Sequence, residues 1–430
     1  MKFNRLSQLL VVSAASLLVA GLMAGCITNT LDFVYVASSK AAGSFYNGEI
    51  DVFEINYVSG YMRQIPFSPF PSGGRNPVAE VVAPDNQALY VVNEDDSTIV
   101  DFFIGPDGKI YPQNTYATTG NYSSSGVESP VGIFPVAIDT NGSNLFVVNT
   151  YQPLANCSSA TPCSGSIGVY PILTAAQAQA LTPAGIADAL GTPVYNAAAG
   201  AYYWPLTVPG SSDIIVPTAV HVLASGADVF VAAYDSTAQP NVGYLFAYAI
   251  GPGGALTAVP GSPFALGVQL SAVGSDSTSS YVYVADAGSG RIYGFSVAST
   301  IAHGALSPLS GSPYPTGNGP SAMAVDSQYP YVYVANATDG NVSAYSIGSA
   351  GALTSIGTYA AGVQPVAIGI DPSTHHFVFT ANFTPNGTSG TVSDFEMDST
   401  TGILINSANS PYPSNAWPTA VAAVPHNGLK

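Results

Sequence analysis

The chain reads as an all-β fold, a seven-bladed β-propeller of four-stranded antiparallel blades whose ring is closed by its C-terminal strand. Three observations predict this. A strand phrase recurs seven times, a second phrase stands at a steady offset before it, and one orphan copy of the second phrase lies at the far end. Composition agrees: charged residues are only 8% of the chain, while Gly, Pro, Tyr, Ser, Thr and Asn are plentiful. That mix suits short strands joined by many turns. The apolar fraction of 47% belongs to a globular chain. A length of 430 residues suggests two or three domains, but closed all-β folds run long as one.

The recurring phrase is an apolar strand ending in a small or polar residue. It reads Phe33-Val34-Tyr35-Val36-Ala37-Ser38, Leu89-Tyr90-Val91-Val92-Asn93 and Leu145-Phe146-Val147-Val148-Asn149. It returns as Val229-Phe230-Val231-Ala232-Ala233, Tyr281-Val282-Tyr283-Val284-Ala285-Asp286, Tyr331-Val332-Tyr333-Val334-Ala335-Asn336 and Phe377-Val378-Phe379-Thr380-Ala381-Asn382. A spacing of about 50 residues is that of propeller blades.

The second phrase is Pro-x-Ala, the expected innermost strand. Pro77, Pro217, Pro320 and Pro365 precede the terminal polar residue by a steady interval, with Leu270 in the fifth copy. Ala79, Ala219, Ala272, Ala322 and Ala367 follow two residues later. The third copy, Ile133 to Asp139, keeps the strand but shifts its proline to Pro135. A third, alternating strand comes after the recurring phrase, as in Ile99 to Ile104, Arg291 to Val297 and Asn341 to Ile347. A fourth strand often ends in Ser-Pro-aromatic, as at Ser68-Pro69-Phe70, Ser262-Pro263-Phe264, Ser312-Pro313-Tyr314 and Ser410-Pro411-Tyr412. Four strands per unit is the propeller arrangement. The first unit lacks its Pro-x-Ala strand, and Trp417-Pro418-Thr419-Ala420-Val421 supplies one after the last unit is complete. That orphan should complete blade one and remove the open sheet edges. The propeller is therefore expected over residues 31–425, with an insertion in blade three at about 173–212 and a tail at 426–430.

These repeats resemble the lactonase-type seven-bladed propellers and the related Tyr-Val-Thr-Asn repeat proteins. The resemblance implies the fold, and it implies lactone hydrolysis of the 6-phosphogluconolactone kind as one activity. It implies basic residues too, notably Arg and His after a Gly-Pro, near the ends of the inner strands. Here Gly319-Pro320 is followed by Ser321-Ala322, so no catalytic residue carries over. The leading expectation from sequence is thus a binding or interaction module. A divergent lactonase using the channel mouth is the alternative, and a purely structural envelope protein the third.

At the N-terminus, Lys2 and Arg5 precede an apolar run from Leu9 to Met23, the pattern of a secretory signal over residues 1–25. Leu22-Met23-Ala24-Gly25-Cys26 resembles a bacterial lipobox, which implies acylation and cleavage at Cys26 and a short tether over 26–30. Several acyl chains anchor a protein stably where one does not. Ile27 in place of Asp favours the outer membrane or cell surface. The remaining cysteines, Cys157 and Cys163, are expected to pair in an oxidising compartment.

Beyond residue 25 the chain carries six basic against 25 acidic groups. Such a surface repels nucleic acid, whose binding rests on Lys and Arg. A monomer binding a protein, glycan or small molecule is expected instead, on a face of long loops after the recurring strand: Ser39–Asn47, Thr150–Gly165, Tyr234–Val242 and Phe383–Gly390. No cofactor is indicated. Asn93, Asn149, Asp286, Asn336 and Asn382 form a column that would ring the channel mouth and suit calcium, or else serve the turns at strand ends. Glu80 and His221 break apolar columns of the inner strands and are candidates for acid–base work, though their blades are not adjacent. Thr182-Pro183 to Gly191 reads as a capped short helix. Tyr202-Tyr203-Trp204 reads as a sugar platform or as packing.

Overall fold

The computed structural model describes residues 30–40, 47–120, 130–181, 187–298, 305–385 and 389–426. Seven antiparallel sheets follow one another around a ring. The inner strands of blades two to seven are Pro77–Val82, Ile133–Thr140, Ile215–Val222, Leu270–Ser275, Pro320–Val325 and Pro365–Ile370. Blade one takes its inner strand from the C-terminus. Trp417–Pro418 and Ala422–Pro425 pair with Thr30–Ser39, as the orphan repeat requires. The outermost strand is split in blades one, four, five and seven, where a cis Ser-Pro peptide separates its two halves. In each of the four, the serine hydroxyl accepts the third-strand amide that the break would leave unpaired: Val52, Ala247, Gly294 and Asp394, at 2.8–2.9 Å.

The core lies between blades. Each of the seven seams holds its own apolar cluster, such as Phe146, Val148, Val220 and Val231 between blades three and four. Alternate strand residues point to opposite faces, so every blade buries one face against each neighbour. This is why strands such as Tyr331–Asn336 are apolar up to their last residue and buried along their whole length.

Three residue types in the repeats have a specific task at these seams. The tyrosine of the recurring phrase is sealed in the seam and its hydroxyl donates to a turn carbonyl of the next blade. Tyr35 reaches Gly108 O at 3.0 Å, Tyr283 reaches Gly351 O at 2.7 Å and Tyr333 reaches Gly402 O at 3.2 Å. The proline that opens an inner strand lies on a glycine of the preceding blade. A Cβ on Gly48 would sit 2.2 Å from Pro77 Cδ, and one on Gly390 2.5 Å from Pro418 Cδ, so only glycine fits. The residue between Pro and Ala is a one-residue bulge in the ladder. Where it carries a hydroxyl it spans the seam: Thr218 Oγ1 lies 2.9 Å from Leu270 O, Ser271 Oγ 2.6 Å from Pro320 O, Ser321 Oγ 2.6 Å from Pro365 O, and Thr419 Oγ1 2.7 Å from Pro77 O.

Two sequence expectations need correction. Pro135 is not shifted. It pairs with Asn149 just as Pro77 pairs with Asn93, and the hairpin that follows is two residues shorter. In the blade-three insertion a helix spans Ala175–Leu181, ahead of the expected one, and 187–191 of that expected helix are turn and bridge. The observed helix opens with a reciprocal cap, Thr174 Oγ1 accepting Gln177 N while Gln177 Oε1 accepts Thr174 N. Residues 182–186 lie outside the described residues, and Leu190 sits in a bridge to Ile172.

Candidate active site on the inner strands

Counted from the proline column, with Leu270 in its place in blade five, the fourth step reads Val81, Asp139, His221, Gly274, Ala324, Gly369 and, by register, Ala422. This step faces the following blade: Val81 packs into the seam with blade three, and a Cβ on Gly274 would meet Val325 of blade six. The third and fifth steps face the preceding blade, as Met323 and Val325 do in their seam with blade five. A fourth-step residue therefore meets a fifth-step residue of the next blade across the seam.

Three polar side chains use this rule at one place. His221 of blade four points forward to Ser275, the fifth step of blade five, with Nε2 2.8 Å from Oγ. Asp139 of blade three points forward to blade four, where Oδ2 lies 3.1 Å from His221 Nδ1 and accepts Val222 N–H at 2.8 Å. A carboxylate facing Nδ1 holds the proton there, leaving Nε2 to accept from the serine hydroxyl. The imidazole is 26% and the Asp139 side chain 22% exposed, so the group is reachable from the ring's interior. The array Asp139–His221–Ser275 has the order and contacts of an activated nucleophile, its base, and the group that orients the base. It sits at the hairpin ends of the inner strands, opposite the face that carries the long loops.

Glu80 has other partners. It is a third-step residue and turns back to blade one, where Oε1 accepts Ala37 N–H at 3.2 Å. Its Oε2 is buried without a partner, and desolvation pushes its carboxyl up to about 8. Sequence brought Glu80 and His221 together as candidates; the structure assigns them to different seams.

The column Asn93, Asn149, Asp286, Asn336 and Asn382 is not a ring around the channel mouth, because all five are fully buried. Asp286 accepts Val268 N and Gln269 N at 2.9 and 2.8 Å, and Asn336 and Asn382 each donate to a serine of their own blade at 2.9 Å. Asp286, Asn336 and Asn382 thus serve the loops and strands of their own blades. Among the described residues no group of three or more His, Cys, Asp or Glu side chains is placed to hold a metal ion. Tyr203 and Trp204 are buried, and the indole donates to Leu256 O at 2.9 Å, which makes them packing residues. Cys157 and Cys163 form a disulfide in the Thr150–Gly165 loop. Cys26 lies outside the described residues.

A cavity of about 370 Å³ lies elsewhere, between blade two and the insertion helix, lined by Gln87, Asp101, Phe102, Gln113, Gln179 and Asp188. Burial raises both its carboxyls, Asp188 to about 6. Asp101 is committed to Asn114 and Tyr116 OH, so the cavity lacks a free acid–base pair.

Fold and repeats together define the class, a seven-bladed β-propeller. The family described as lactonase, 7-bladed beta-propeller, matches residues 275–410. Across the whole chain, the ring is similar to a putative 6-phosphogluconolactonase from Bacteroides fragilis, at 18% identity and a TM-score of 0.65, covering 93% of this chain and 99% of that one. It is similar to a second, from Bacteroides uniformis, at 17% identity and TM-score 0.64, covering 92% and 100%. The periplasmic gluconolactonase of Pseudomonas aeruginosa matches at 17% identity and TM-score 0.65, covering 92% and 99%. Likeness at such identities is likeness of fold. No curated protein matches by sequence.

Proposed function

We propose that the protein is an exported hydrolase of uncharged lactones or related esters, with His221 as its general base. The lactonase reading thereby displaces the interaction module expected first. The observation that carries it is the Asp139–His221 pair, two inner-strand residues of adjacent blades in hydrogen-bond contact and open to the ring's interior. The solved structures of similar fold, two named as putative 6-phosphogluconolactonases and one as a gluconolactonase, support the substrate class. The absence of charge on the substrate follows from the cations. Lys40, Arg63, Arg75 and Lys109 are each paired with a nearby carboxylate, and none of them nor Arg291 belongs to an inner strand. Among the described residues a phosphorylated or carboxylate lactone would find no Lys or Arg counter-charge on the inner strands. Export and lipid anchoring at Cys26 remain part of the proposal, in keeping with a disulfide that needs an oxidising compartment.

The test is a panel of neutral lactones, including glucono-δ-lactone, beside 6-phosphogluconolactone and a carboxylated lactone. Turnover should favour the neutral members and vanish in His221→Ala. If no lactone turns over, or if His221→Ala leaves the rate unchanged, the hydrolase reading fails and the loop face becomes the site to pursue.

A further inference from the structure

We propose that Ser275 is the nucleophile, so that hydrolysis passes through a covalent acyl-enzyme rather than by direct attack of water; this rests on the hydrolase reading above. The distances place the hydroxyl, not merely a solvent site, on the free nitrogen of the base: Ser275 Oγ is 2.8 Å from His221 Nε2, and Nδ1 on the far side of the ring is held by Asp139. Ser275 is only half-buried, so the hydroxyl can be reached.

The backbone contributes a second observation. Asp276 N donates to Tyr281 O across the hairpin, which makes Asp276 and Tyr281 a hydrogen-bonded pair. Alternation then makes Ser275 and Val282 a non-hydrogen-bonded pair, with the Ser275 amide on the free inner edge of the strand. Val222 occupies the same step in blade four, and its amide leaves the ladder to bind the Asp139 carboxylate. Amides on this edge thus already serve an anion in this protein. The Ser275 N–H is positioned to serve another, the oxyanion that forms when its own side chain attacks a carbonyl.

The steps balance without any further reagent. The Ser275 oxygen bonds to the lactone carbonyl carbon as its proton passes to His221 Nε2. The tetrahedral adduct collapses by breaking the bond to the ring oxygen, which takes that proton and becomes the free hydroxyl of a ring-opened acyl ester. Water then adds to the ester carbonyl, giving its proton to Nε2. The Ser275 oxygen leaves and recovers the proton, releasing a hydroxy acid.

Fluorophosphonate labelling of the whole protein, read by intact mass and peptide mapping, tests the assignment alongside the lactone panel. A single adduct on Ser275 is expected, absent in Ser275→Ala and slowed more than tenfold in His221→Ala. A protein that takes no label, or labels equally well as Ser275→Ala, overturns the nucleophile. If Ser275→Ala also keeps lactone turnover within about twofold, water attacks directly and the hydrolase reading stands without it. If neither label nor turnover is found, both fall together.

Discussion

Glu80 offers a prediction whose size can be worked from its surroundings. The residue keeps some exposure, but its Oε2 is buried, and desolvation outweighs the lowering effect of the Ala37 and Ala422 amides. The folded carboxyl titrates near 8, against 4.5 when unfolded. Below 4.5 both states carry the proton and the site costs nothing. As pH rises the unfolded chain releases its proton first, so stability falls between about 4.5 and 8 and then levels off. At about 1.36 kcal/mol per pH unit, the loss reaches at most about 3 kcal/mol at neutral pH and about 5 kcal/mol above pH 8. Glu80→Gln has the shape of the protonated acid, keeps an acceptor for Ala37 N–H, and cannot ionise. Urea unfolding of both proteins from pH 4.5 to 9 should give nearly equal stabilities at the acid end. The variant should become progressively more stable as pH rises. Asp32, also raised to about 8 by burial, contributes the same trend to both proteins and cancels in the difference. Parallel pH profiles, or a variant less stable at pH 8, would refute the assignment of that cost to Glu80.

Asp139→Asn should lower lactone turnover by roughly 10²–10⁴-fold, because an amide no longer fixes the proton on Nδ1; circular dichroism should stay unchanged, and wild-type turnover would sink the orienting role. Ser321→Ala removes the hydroxyl that joins blade six to Pro365 O and should cost about 1 kcal/mol in urea, whereas Val366, at the same place in blade seven, tolerates Ala with a loss due to packing alone. Gly48→Ala brings a methyl against Pro77 and should cost more, about 1–3 kcal/mol by the same measurement. Cys157→Ser should lower stability by about 2 kcal/mol on chain-entropy grounds and increase proteolysis within Thr150–Gly165; equal cleavage with and without the disulfide would show the loop to be held by other contacts.

The ring was legible because the seam demands the same residues seven times over. Tyr35, Tyr283 and Tyr333 recur since each must reach a turn of the next blade, and Pro77, Pro217 and Pro418 recur since each fills the space above a glycine. Closure by Trp417–Pro418 was readable for the same reason. The array was half-legible. His221 stood out against an apolar column, but Asp139 escaped because the blade-three hairpin is two residues shorter and counting back from Asn149 misplaces it. Counting forward four from Pro135 and from Pro217 finds both. Ser275 was hidden because comparing the inner strands one column at a time never pairs two different steps. Neighbouring steps do face opposite ways, and across a seam that is what lets the fourth step of one blade meet the fifth of the next. The Asn column misled because a repeated polar residue fits a lining and a buried turn equally well, and only burial separates the two. The helix signal, Thr174-Ala175-Ala176-Gln177, lay eight residues before the Thr182-Pro183 that was read instead.

Closure also sets a timetable. Thr30–Ser39 is among the first parts of the domain to be synthesised, yet its inner partner, Trp417–Pro425, is among the last. At roughly 5–20 residues per second, the first blade waits about 20–75 seconds for the strand that completes it. Until then six blades can form, but the ring is an open arc with one unfinished end, and the Ala37 amide that Glu80 will accept belongs to that end. Closure of the ring, unlike formation of the other six blades, therefore waits for the last strand of the domain.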